Sequence, residues 1–109
     1  MKWYGIFVNA TDSEIQISVV CEGETSIWKQ FSLEPYAKIK TMVLPGKATV
    51  RDVNGKELYT SVTFVGNPEG KYATGNERTV YFLVTKTGIY PIPREYRTNW
   101  KEHFQEITR

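Results

Sequence analysis

Apolar runs a few residues long recur roughly every ten residues, with Gly, Pro, Asn and Asp between them, a spacing that predicts an all-β sandwich or barrel. The stretch 14–21 is the plainest case. Ile15, Ile17, Val19 and Cys21 alternate with Gln16 and Ser18, so one face is apolar and the other polar. A first strand is expected over 2–9. Another is expected over 25–33, with Ile27, Phe31 and Leu33 on one side. Pro35 ends it, because proline has no N–H to give to a ladder. In 37–44 Lys38 and Lys40 point outward, which reads as an edge strand whose charges discourage stray pairing. Over 78–85, Val80, Phe82 and Val84 stand against Tyr81 and Leu83, and 89–92 reads as a short extra strand.

Turn chemistry sharpens the middle of the chain. Asn54-Gly55 lies between two strand-like runs and predicts a hairpin, since both residues accept the positive φ of a type I′ turn. On the second arm Leu58, Val62 and Phe64 are expected on one side, with Tyr59, Ser61 and Thr63 opposite. Pro45-Gly46 fits the central positions of a type II turn. Residues 43–59, "VLPGKATVRDVNGKELY", resemble the Pro-Gly turn, strand and Asx-Gly hairpin of transthyretin-like and carboxypeptidase-regulatory-like sandwiches. The resemblance implies a sandwich and assigns no role to any residue.

The tail has a different period. Pro91 and Pro93 hold the chain extended. Trp100, Phe104 and Ile107 then fall at helical spacing, with Asn99 as the expected N-cap and Glu102 completing a capping box. So short a helix is marginal in water unless its stripe docks. Burying Trp100 alone contributes about 4–6 kcal/mol as an upper bound. The stripe must therefore lie either on this chain's own sandwich or on another chain.

Composition changes the picture mainly by exclusion. The chain has 109 residues, enough for one domain that folds without a metal or disulfide. Its net charge is +2, spread as six bases and six acids in residues 1–54 and eight bases and six acids in 55–109. No dense cationic face is expected, so nucleic acid is not an expected partner. No stretch is long and apolar enough for a membrane span, and no membrane partner is expected. Cys21 is the single cysteine. With no leader pattern at the start, a reducing, cytoplasmic setting is expected, with a processed secreted form as the alternative.

Candidate chemistry is sparse. One His and one Cys do not make a zinc site, and the pairs Asp12/Glu14 and Glu22/Glu24 lack the spacing of a calcium loop. Cys21 lies on an apolar strand face and His103 beside the tail stripe, so a dyad would need the tail to dock next to residue 21. "GNPEGKY" is one residue short of a phosphate loop, and Tyr72 stands where Ser or Thr would hold magnesium. Asn9-Ala10-Thr11 fits an N-glycosylation sequon, which matters only in a secreted protein.

Aromatic residues remain. Tyr4, Trp28, Tyr59 and Tyr81 sit opposite the apolar sets of their strands: two or three of them aligned across neighbouring strands would make a flat exposed platform, and otherwise they pack under the tail or stiffen the sheet through cross-strand pairs. The platform would take a partner or be covered by the tail. The whole reads as a single domain over 1–109: an all-β, antiparallel β-sandwich of seven or eight strands, with 93–109 as a strap and short C-terminal α-helix. Its expected function is that of a non-catalytic binding or assembly module without cofactor, taking a protein or carbohydrate partner. Contact is expected through Trp28, Tyr59 and Tyr81, through Tyr72 in the glycine-rich loop, and through Tyr96 and Trp100 in the tail. Self-association through a strand edge is a further expectation. The alternative is a small hydrolase whose carboxylates meet only in the fold, about 5–9 Å apart.

Overall fold

The computed structural model describes residues 2–62 and 70–109. Its strands are β1 (Trp3–Asn9), β2 (Ile15–Cys21), β3 (Lys29–Leu33), β4 (Lys38–Val43), β5 (Gly46–Asp52), β6 (Glu57–Val62), β7 (Thr79–Val84) and β8 (Ile89–Ile92). They form two four-stranded sheets, β4-β1-β7-β8 (sheet 1) and β3-β2-β5-β6 (sheet 2). The expected all-β sandwich is the fold. Its pairings are antiparallel except that β1 and β7 run parallel, from Tyr4↔Thr79 to Asn9↔Val84.

Alternation explains the core. Ile15, Ile17 and Val19 of β2 face Phe7, Val80, Phe82 and Val84 of sheet 1. The Phe7 ring stacks on Phe82 at 4.9 Å and meets Phe31 of the other sheet at 5.7 Å. Sheet 1 is apolar on its outer face too: Val8, Leu83 and Ile92 point away from the sandwich and are buried with Ile107 under Trp100 and Phe104. The tail thus docks on its own sandwich. β4 lies at the edge of sheet 1 with Lys38 and Lys40 exposed, as the pattern predicts.

Several local expectations need correction. The β5–β6 hairpin forms, but Asn54 is not in the left-handed region; only Gly55 is, at φ +83°. The Gly55 N–H donates to the Asp52 carbonyl (3.0 Å), so the turn is type I, one residue early, with a glycine bulge after it. The Asp52 side chain favours this form by accepting from the N–H groups of Asn54 and Lys56, both at 2.9 Å. The ladder shifts between Val50 and Arg51. That extra residue reverses the arm: Tyr59 pairs with buried Val50 and faces inward, while Val62 is 57% exposed. Phe64 and Thr63, and residues 66–69 of the glycine-rich loop, lie outside the described residues.

Pro45-Gly46 makes no type II turn, because the connection carries the chain from sheet 1 to sheet 2. Gly46 opens β5 opposite Cys21, where a Cβ would collide with the Val20 carbonyl. The tail helix is shorter than its stripe. Arg94–Tyr96 form a 3-10 turn, and α1 spans Phe104–Ile107. Asn99 caps nothing with its side chain; its carbonyl accepts the Glu102 N–H at 3.1 Å, so i→i+3 bonding persists until His103.

Candidate functional site

At one end of the sandwich the docked tail walls off a groove of about 410 Å3. Phe104 and Thr108 form one wall, Tyr90 and the β7–β8 turn another, and Ala10, Thr11 and Asp12 the floor after β1. Lys86 in the turn pairs with Asp12 at 3.5 Å across it. Tyr36 closes the rim and is 52% exposed.

Tyr36 is held there by backbone. The Ala37 N–H donates to the Glu34 carbonyl (3.0 Å), closing a type II turn with Pro35 and Tyr36 at its centre. Tyr36 therefore has φ +62°, a position that type II turns normally give to glycine. Asn9 locks it: the Tyr36 N–H donates to the Asn9 carbonyl (3.0 Å), and the Asn9 N–H donates to that of Ala37 (2.9 Å). The Asn9 side chain holds the same corner. Its Nδ2 donates to the carbonyls of Ser13, Leu33 and Glu34, and its Oδ1 accepts from the Thr11 N–H and hydroxyl. Asn9 is fully buried, so the sequon is a structural corner with no amide free to carry a glycan.

The groove's polar groups are largely occupied. The Thr85 hydroxyl donates to the Gly88 carbonyl and accepts from two turn N–H groups, and the Thr108 hydroxyl donates to the Phe104 carbonyl. The Thr11 hydroxyl is engaged by Asn9 and Ser13. What the groove offers is shape, the apolar flank of Phe104 and Tyr90, one surface ion pair and the Tyr36 ring, over one face of which the Lys101 ammonium lies at 4.6 Å.

The residues expected to bind do not share a surface. Trp28 packs toward the core at the edge of sheet 2, with the Lys29 ammonium 5.2 Å from its ring. Tyr59 is an internal strut whose hydroxyl donates to the Thr85 carbonyl (2.7 Å), tying β6 to the end of β7. Burial, with a smaller push from Tyr90, raises its phenol far above the ordinary range. Tyr81 lies on the other layer's outer face under the Arg97 guanidinium, at 4.5 Å. The common platform does not form, because the bulge turns Tyr59 inward and the tail covers Tyr81. Tyr72 packs against the core with Lys71 over its ring (5.6 Å), and Trp100 lies in the tail cluster with Lys101 over its ring (5.6 Å). Tyr96 stacks on His103 at 3.9 Å and donates to Glu106 Oε2 at 3.0 Å. The bond to Glu106 raises the Tyr96 phenol, while the contacts from His103 and Tyr96 lower the Glu106 carboxyl.

Sequence reasoning missed Tyr36: Pro35 signals a turn, but a tyrosine after it gives no sign of the positive φ that the turn imposes. It also missed Arg97, which fastens the tail. Its guanidinium pairs with Glu77 (2.8 Å) and donates to the carbonyls of Tyr72 (2.9 Å) and Thr79 (2.8 Å). Cys21 ends a strand of sheet 2 while His103 lies over sheet 1, so the two make no dyad. Among the described residues no group of three or more His, Cys, Asp or Glu is placed to hold a metal, and no helix is long and apolar enough to cross a membrane. Two carboxylates, Glu14 and Asp52, line a separate cleft of about 130 Å3. No protein-family model matches the chain, and no curated protein matches it.

Proposed function

We propose that this chain is a non-catalytic binding module and that a segment of a protein partner seats in the groove beneath the tail. The observation that carries the reading is Tyr36: a half-exposed aromatic on the groove rim, kept in a left-handed conformation that a glycine would take without strain. The groove's volume suits a few side chains. A protein segment fits better than a sugar. The threonine hydroxyls are bonded internally, and the Lys101 ammonium lies over one face of the Tyr36 ring itself at 4.6 Å, so a sugar meets few free donors and one covered stacking face, whereas a peptide side chain can pack on the edge and open face that remain. The hydrolase reading has the Glu14/Asp52 cleft to draw on, but Asp52 Oδ1 is engaged by two turn N–H groups.

The test separates folding from binding. Peptides selected on the wild-type protein from a random displayed library are measured against Tyr36→Gly and Lys86→Glu. Tyr36→Gly relieves the turn and changes stability by less than about 1 kcal/mol. It should nonetheless weaken peptide binding roughly thirtyfold, the usual cost of removing an aromatic anchor. Binders indifferent to both substitutions, or a glycan array giving ligands that Tyr36→Gly abolishes, would overturn the reading.

A further inference from the structure

The two sheets have four edges, and three are guarded. β4 carries exposed Lys38 and Lys40. β8 contains Pro91, which has no N–H, and runs into Pro93. The β5–β6 ladder is bulged. These are the devices by which sheets avoid joining at their edges. β3 has neither proline nor bulge within it, and its one charge, Lys29, stands at its first residue. Its register with β2 is unbroken from Ile15↔Leu33 to Val19↔Lys29, and Gln30 through Leu33 carry no charge and no proline. Among the described residues β2 is the only strand paired with it.

We propose that β3 is a joining edge, at which a second copy of this chain pairs antiparallel to extend sheet 2 across a two-fold axis. The strand is self-complementary when it pairs about its own centre. Core-facing residues must oppose core-facing residues, which sets Phe31 against Phe31 and Gln30 against Ser32. One residue beyond each end, Trp28 then opposes Glu34. The Trp28 ring carries the Lys29 ammonium at 5.2 Å, so each copy brings a cation to the other's Glu34. Among the described residues neither Lys29 nor Glu34 has an ion-pair partner in its own chain. A residue further out, Ile27, 55% exposed, meets Pro35. Five residues of strand make a small interface, so the dimer is weak and concentration-dependent.

Sedimentation velocity from micromolar to millimolar concentration reads the proposal directly. The wild type should shift from monomer to dimer. Gln30→Lys with Ser32→Lys, and Gln30→Glu with Ser32→Glu, alter exposed side chains only. Each double variant alone should stay monomeric, with self-affinity reduced at least tenfold, and an equal mixture of the two should restore a heterodimer. A wild type that stays monomeric, double variants that still dimerise, or a mixture that fails to associate would each overturn it.

Discussion

Single residues show how far a side chain's role depends on its partners. Tyr59 reads from sequence as an outward group and Asn9 as part of a sequon, and both are internal fasteners. Tyr59 spans the two sheets with one hydrogen bond from β6 to Thr85. Tyr59→Phe leaves that carbonyl without its phenol partner, and the expected loss is about 1–2 kcal/mol in a denaturant titration at neutral pH. The pH dependence has a definite sign. The folded state holds the Tyr59 proton more tightly than the unfolded chain, whose phenol titrates near 10.0. The contribution is therefore whole below that pH and is lost as pH rises toward the folded value. Wild-type stability should fall steeply above pH 10.0, and Tyr59→Phe should flatten that fall. Some slope should persist in the variant, because the Tyr96 phenol is raised in the same direction by Glu106. An unchanged alkaline slope in Tyr59→Phe would remove Tyr59 from its place between the sheets.

Elements were legible where one local rule decided them. The alternation of Ile15, Ile17 and Val19 fixes which face of β2 is buried, since period-two patterning needs no knowledge of neighbours. The stripe of Trp100, Phe104 and Ile107 signalled an apolar platform, and the outer face of sheet 1 provides it. Elements were misread where a neighbour decides. The facing of β6 depends on a bulge that belongs to the β5–β6 pair, so no inspection of β6 alone gives it. The groove was invisible for the same reason: its walls come from the ends of β1 and β7, the turn at Tyr36, β8 and α1. The tail itself gives the clearest test at this scale. Ile107 is buried on sheet 1, and Ile107→Ala should cost about 2–3 kcal/mol in urea unfolding. Hydrogen exchange should then quicken over 94–108, with sheet 2 unaffected. A tail that already exchanges freely in the wild type, with stability unchanged by the substitution, would mean that it closes nothing.

For the whole molecule, the parallel β1–β7 pairing sets the order of assembly. Sheet 2 contains two hairpin pairings, β2–β3 and β5–β6, each closed by a short loop. Sheet 1 cannot complete until Thr79 reaches Tyr4, most of the length of the chain away. Loop-closure entropy must be met before such a distant contact returns anything. Sheet 2 should therefore form first, and β7 should slide in beside β1 late, stacking Phe82 on Phe7 as it arrives. Refolding is expected in milliseconds to seconds, as for other sandwiches dominated by distant pairings. Two substitutions separate the steps. Val50→Ala, in the centre of sheet 2, should slow refolding, whereas Phe82→Leu should act mainly by speeding unfolding. If stopped-flow traces show Phe82→Leu slowing refolding as much as Val50→Ala does, β7 belongs to the nucleus. The crossing of the chain back to its first strand would then begin the fold instead of completing it.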